Sequence, residues 1–149
     1  MIVNRQRAVR VAMKPLEKFY LRVRDELGLG EADVTICLVS DAEIARMNET
    51  FRKKKGPTDV LSFPAVKRRR AVRLERAAGV KGLGKYLGDV AISPATAGRY
   101  ARKNGRRLPA ELRVLILHGL LHLLGYDHEI DGGEMTRLEN RLRRRFDLV

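Results

Sequence analysis

The sequence predicts an α+β fold: one domain, residues 1–149, with a small mixed β-sheet of about four strands covered by about five α-helices. A metal site is expected at the end of a central apolar helix. Three observations carry this. The chain has 149 residues, enough for one real core and too few for two comfortable ones. Strand-like apolar runs alternate with apolar residues at helical spacing through the first two thirds of the chain. The remainder is helical and contains the most apolar segment of all, residues 114–124.

The elements follow in order. Residues 1–4 read as a short strand. Leu16, Phe19, Tyr20, Val23 and Leu27 recur at helical spacing, with Pro15 suited to the first turn and Gly28 to the stop. Residues 34–39 are rich in β-formers and predict a buried strand. Ser40, with Glu43 three residues on, has the pattern of a capping box. Ile44, Met47 and Phe51 are expected to form the buried stripe of the helix that follows. Residues 60–63 predict a strand bracketed by Pro57 and Pro64. Proline cannot donate to a ladder, so this strand belongs at a sheet edge. Residues 65–85 are basic and glycine-containing and predict a surface excursion. Residues 86–92 predict another strand, and Ser93-Pro94 a helix start. Pro109 opens a long apolar helix that Gly125 ends. Asp131 and Glu134 have the spacing of an N-cap and its third helical residue. A last helix then runs through Met135, Leu138, Leu142 and Phe146.

Composition narrows the function. No stretch approaches ~18 uncharged apolar residues, so no membrane span is expected, and no apolar run follows the arginines of residues 1–10 as in a signal peptide. Cys37 is the single cysteine; it excludes an internal disulfide and reads as a buried free thiol. A cytoplasmic location is the expectation. Lys and Arg number 31 against 18 acids, a net charge of +13. That excess favours a polyanionic partner, nucleic acid first. The basic residues cluster in three runs, at 67–70, 99–107 and 141–145, and Arg68, Arg69, Arg70, Arg102 and Arg106 are the candidate RNA contacts. With aromatic residues at only 5%, a broad base-stacking platform is not expected.

The chemistry concentrates in eleven residues. All three histidines, His118, His122 and His128, lie between positions 118 and 128, a clustering that random placement gives roughly one time in a hundred. His118 and His122 are i and i+4 on a helix and project from one face. Gly125 permits a sharp turn that can return His128 to the same point. Three imidazoles with an open position describe a catalytic rather than a structural zinc, at one ion per chain; nickel or cobalt would suit the same ligands. The peptidase pattern places a general-base glutamate after the first histidine. Gly119 stands there instead, which argues against proteolysis and is expected to leave room beside the metal. Asp127 could hydrogen-bond a ligand histidine or only shape the turn. Asp59 and Asp89 read as turn and strand-end residues.

The run from His118 to His128, HGLLHLLGYDH, resembles the H-G-x-L-H-L-x-G-Y-D-H signature of the YbeY family of rRNA maturation endoribonucleases. Phe51-Arg52 followed by PTDVLSFP at 57–64, and LGDVAIS at 87–93, are similar to two further family blocks. The resemblance, from about residue 33 to 145, implies zinc on the three histidines and metal-dependent hydrolysis of single-stranded RNA. It implies a role in 3′-end maturation of small-subunit rRNA and in ribosome quality control. It also implies that Arg52 faces the metal cleft and grips the scissile phosphate. Ribosomal proteins or a ribosome-associated GTPase are the candidate protein partners. Two rivals are a metal-dependent hydrolase of another substrate and a ribosome- or RNA-binding assembly factor whose metal is structural.

Overall fold

In a computed structural model of the chain, residues 1–65, 86–127 and 129–148 are described. They form β1 (Ile2–Asn4), α1 (Met13–Glu26), β2 (Asp33–Leu38), α2 (Asp41–Arg52), β3 (Val60–Pro64), β4 (Tyr86–Ile92), α3 (Pro94–Lys103), α4 (Leu108–Leu123) and α5 (Glu134–Arg145). The strands make one mixed sheet in the order β1-β2-β4-β3. β1 and β4 both run parallel to β2, and β3 pairs antiparallel with β4. The expected α+β class holds, as do about four strands and about five helices among the described residues, and the Pro-bracketed strand β3 stands at the end of the strand order.

The local reasons are legible in the residues. α1 buries Leu16, Phe19, Tyr20 and Val23, one stripe at helical spacing. β2 buries Val34, Ile36 and Leu38 in strict alternation. β4 is central and buries five of its seven residues, losing alternation because both faces are covered. Ser93 caps α3, its hydroxyl accepting from the Thr96 N–H at 3.3 Å.

Register decides which face each residue serves. Ser62 pairs with Val90, and Leu61 with Ala91, which also pairs with Cys37. Leu61 and Ala91 join Val39 and Ile44 of α2 in a small cluster on one face. Val90 and Ile92 join the main core on the other face, with α1, α4 and α5. α4 lies at the centre of that core, packed against α1, α3, α5, β3 and β4. Almost every apolar side chain along it is buried, so truncating Ile116 or Leu120 to alanine would cost about 2–5 kcal/mol.

Four local expectations need correcting. Phe51 is not buried with Ile44: the last turn of α2 carries it clear of the small cluster, and it is 66% exposed. Asn48 fills the buried position instead, its amide donating to the Gly56 carbonyl at 3.0 Å. Ser40 does cap α2 through the Glu43 N–H at 3.1 Å, but the Glu43 carboxylate turns to Arg5 at 2.6 Å, so only half of a capping box forms. Gly133 occupies the N-cap of α5. Asp131, two residues earlier, still accepts from the Gly133 and Met135 N–H groups, both at 2.8 Å. Cys37 is half-buried rather than enclosed.

Candidate metal centre

α4 ends in a cap that builds the site. Gly125 adopts φ +98°, a left-handed conformation that L side chains resist. Its N–H donates to the His122 carbonyl at 2.9 Å, and the Tyr126 N–H to the Leu121 carbonyl at 3.1 Å. These two bonds define a Schellman motif. They satisfy carbonyls the helix would orphan and swing Tyr126 and Asp127 across its end. The predicted sharp turn is therefore present. His128, immediately after it, lies outside the described residues.

The two helical histidines meet as their spacing requires. The Nε2 atoms of His118 and His122 face each other at 3.1 Å, with the rings edge-to-face at 4.6 Å between centroids. On the far side of the His118 ring, Nδ1 lies 3.1 and 3.2 Å from the two Glu139 oxygens. A carboxylate can only accept, so Nδ1 carries the proton on that side and Nε2 is the nitrogen turned toward His122. Metal-bound histidines are commonly held in this way, through a carboxylate on the second ring nitrogen.

The donor set fits a transition-metal ion. Metal–imidazole bonds of ~2.0–2.1 Å easily bridge two nitrogens at this separation. His122 lies in the last turn of α4, where the negative end of the helix dipole favours a cation. Among the described residues no group of three His, Cys, Asp or Glu side chains gathers at metal-binding separation; the third member of the motif, His128, is not one of them.

A cleft of about 700 Å³ opens at the histidines. One wall is the end of α4 and the segment after it, with His118, His122, Tyr126 and Asp127. The other is the end of α2 and β3, with Phe51, Arg52 and residues 58–64. Arg52 is exposed, is the last residue of α2, and among the described residues forms no ion pair. The chain leaves the helix sharply there, with Lys53 at φ +56°. Arg52 and the two histidines, distant in sequence, thus share one cavity.

Other site residues are placed differently. Arg102 is exposed near the end of α3, and Arg106 pairs with Glu111 at 3.3 Å. Arg106 comes just before α4, whose first residue is roughly 15 Å of helix from His118 at 1.5 Å per residue, and neither arginine lines the cleft. Arg68, Arg69 and Arg70 lie outside the described residues. Asp127 shapes the turn: its carboxylate accepts from the Glu129 N–H at 3.0 Å. Asp59 accepts from the Val60 N–H at 2.8 Å at the start of β3 and also lines the cleft, and Asp89 accepts from the Tyr86 hydroxyl. Gly119 does not open space beside the histidines. A Cβ there would lie 2.7 and 3.0 Å from the two Val90 methyls, so the glycine lets α4 sit down on β4. Glu139 was not identified from the sequence. Its contact with His118 spans 21 positions and joins two helices, and only its place one residue beyond buried Leu138 hints that it lies near the core.

Comparison with known proteins identifies what the chain is similar to. The sequence profile described as "Endoribonuclease YbeY" matches residues 1–147. Proteins named endoribonuclease YbeY align along most of the chain. The one from Koribacter versatilis is 40% identical over 148 residues, covering 99% of this chain and 86% of its own. That from Solibacter usitatus is 40% identical over 147 residues, covering 98% and 88%. That from Aquifex aeolicus is 42% identical over 134 residues, covering 88% and 81%. A Thermotoga maritima protein solved in solution superimposes with a TM-score of 0.60 at 28% identity, covering 95% of this chain and 85% of that one.

Proposed function

This chain belongs to the endoribonuclease YbeY family, and from that premise we propose that it hydrolyses single-stranded RNA at a zinc centre held by His118, His122 and His128. The observation that carries the reading is the convergence of the His118 and His122 nitrogens at 3.1 Å in the cavity that also receives Arg52. RNA is the substrate class, in keeping with the net charge of +13. The proposed task is late maturation of the small-subunit rRNA 3′ end and ribosome quality control. Ribosomal proteins or a ribosome-associated GTPase are the proposed guides to that site. The proposed location is the cytoplasm; among the described residues no helix is long and apolar enough to cross a membrane.

Each side chain then has a task. When bound, the ion supplies Lewis acidity and lowers the pKa of water at its open position. His118 and His122 hold it from the rigid end of α4. Glu139 holds a proton on His118 Nδ1 and orients the ring, which would leave Nε2 as the nitrogen that holds the ion. Arg52, without a carboxylate partner among the described residues, offers its planar fork to the scissile phosphate and offsets charge that develops in the transition state. Leu123, Tyr126 and Leu61 give the cleft apolar lining that limits competing water around those charges. The outer edge of β3, the last strand of the sheet among the described residues, supplies a wall along which an extended strand of RNA can lie.

Purified protein is expected to carry about one zinc per chain and to cut a small-subunit rRNA precursor. A chelator should stop cleavage while circular dichroism shows the fold intact, and added zinc should restore it. Full cleavage after complete metal removal would overturn the metal centre. Hydrolysis of casein alongside intact RNA would overturn the substrate class.

A further inference from the structure

Phe51 stands out from the rest of its helix. The periodicity of α2 points it inward, yet it is 66% exposed. It is also not loose: its ring meets the Phe63 ring edge-to-face, with centroids 5.1 Å apart and an interplanar angle of 69°. Both rings line the cleft that holds His118, His122 and Arg52. Exposing a phenyl ring costs hydrophobic stabilisation. Holding that exposed ring in one orientation creates a flat, presented apolar face.

We infer that Phe51, braced by Phe63, is a stacking subsite for one unpaired nucleobase of the RNA, next to the phosphate held by Arg52. The inference rests on the endoribonuclease reading above and adds to it the part of the substrate that this wall recognises. Phe51 and Arg52 are consecutive on a helix, so their side chains leave it roughly 100° apart. They therefore address different parts of a nucleotide, the ring taking a base and the guanidinium a phosphate. The run Lys53-Lys54-Lys55, directly after Arg52, is exposed and adds positive charge beside this wall for an RNA backbone. In the segment after α4, Ile130 is 83% exposed and also lines the cleft, adding apolar surface to it.

The subsite gives single-strand preference a physical basis. A base inside a duplex has both faces covered by its neighbours, and must unstack before it can lie on Phe51. A base in a loop or tail can be splayed out and stacked on an aromatic ring. Every base has such a face, so the subsite selects for unpaired RNA without selecting a sequence. The low aromatic content excludes a broad platform, not a single well-braced ring.

The test compares zinc-loaded wild type, Phe51→Leu and Phe51→Trp on a short unstructured RNA, and on the same RNA carrying an abasic nucleotide beside the mapped cut. Leucine keeps apolar bulk and loses the ring face; tryptophan keeps a face. Phe51→Leu is expected to raise KM on the order of ten-fold, as the loss of one stacked base predicts, with a much smaller change in kcat. Phe51→Trp should restore KM. The abasic substitution should penalise the wild type and add little to Phe51→Leu. An unchanged KM in Phe51→Leu, or an equal abasic penalty in both proteins, overturns the subsite and leaves the endoribonuclease reading standing. No cleavage of any RNA by the zinc-loaded wild type overturns both.

Discussion

The two walls of the cleft are built on opposite plans. The wall at the end of α4, backed by α5, grows out of the main core. Leu120, Leu121 and Leu123 are essentially inaccessible, and His118 and Glu139 emerge beside them only 24% and 15% exposed. The wall of α2 and β3 sits over a small cluster of four buried residues and ends in exposed Phe51 and Arg52. Metal geometry must be held to a fraction of an ångström, which a densely packed helix end can do. Gripping a flexible polyanion needs reach and solvent access instead, which long exposed side chains on a thinly supported helix end provide. On the proposed function, the metal-holding groups thus stand on the densely packed wall and the groups that meet phosphate and base on the exposed one.

That contrast makes the variants separable. The largest effect is expected from His122→Ala: metal content should fall from about one ion per chain to near zero, and cleavage should vanish with it. Elemental analysis after gel filtration reads the first and an RNA gel the second. Arg52→Ala should keep the metal and lose on the order of 10²–10³ in kcat, as removal of one transition-state charge donor does elsewhere. If its cleavage is normal, the exposed wall has no catalytic part. Glu139→Gln should weaken zinc binding roughly 10- to 100-fold, as loss of an orienting partner to a ligand histidine does, with the fold unchanged. A competition titration against a chromophoric chelator measures this apart from activity. If Arg52→Ala loses metal, or Glu139→Gln leaves affinity untouched, the division between the walls fails.

How much of this was legible in the sequence follows the same division. The α4 wall was readable because its signals are local. Residues four apart on an apolar helix must share a face, and a glycine at the helix end permits one kind of turn; both hold at His118, His122 and Gly125. Phe51 was misassigned because periodicity gives the direction of a side chain and not where the helix outruns the core beneath it. Gly119 was assigned to the wrong neighbour, since only the register of β4 brings Val90 against it. Glu139 was invisible for the same reason: its partner is set by how α5 crosses α4, a tertiary fact with no local period.

Smaller effects probe how each wall is supported. Gly119→Ala is expected to cost about 1–3 kcal/mol, because the added methyl overlaps Val90 and one of the two packed elements must shift. The same shift should lower zinc affinity, since His118 precedes it directly. Chemical denaturation and the chelator titration read the two losses together, and a loss of stability with unchanged zinc binding would show that the helix end tolerates movement.

The smallest effect concerns the far end of α2. Asp41 accepts from the Ser93 hydroxyl at 2.6 Å, the Thr96 hydroxyl at 2.7 Å and Arg99 at 2.9 Å, tying the start of α2 to the start of α3. Partial burial raises its pKa, but the hydrogen bonds from Ser93, Thr96 and Arg99 together outweigh it and hold the carboxyl below the ordinary value of 3.8. A carboxylate with a depressed folded-state pKa stabilises the fold above its unfolded-state value, and that contribution is lost as pH falls through the lower folded value. Wild type should therefore lose stability below about pH 4 through this group. Asp41→Asn keeps the shape, lacks the charge, and should start about 1 kcal/mol less stable at neutral pH, with a correspondingly shallower fall in acid. Melting curves from pH 7 to pH 3 for the two proteins should converge. Parallel curves would mean that this junction is held by packing rather than by the Asp41 charge, and that the exposed wall has its support in the small apolar cluster alone.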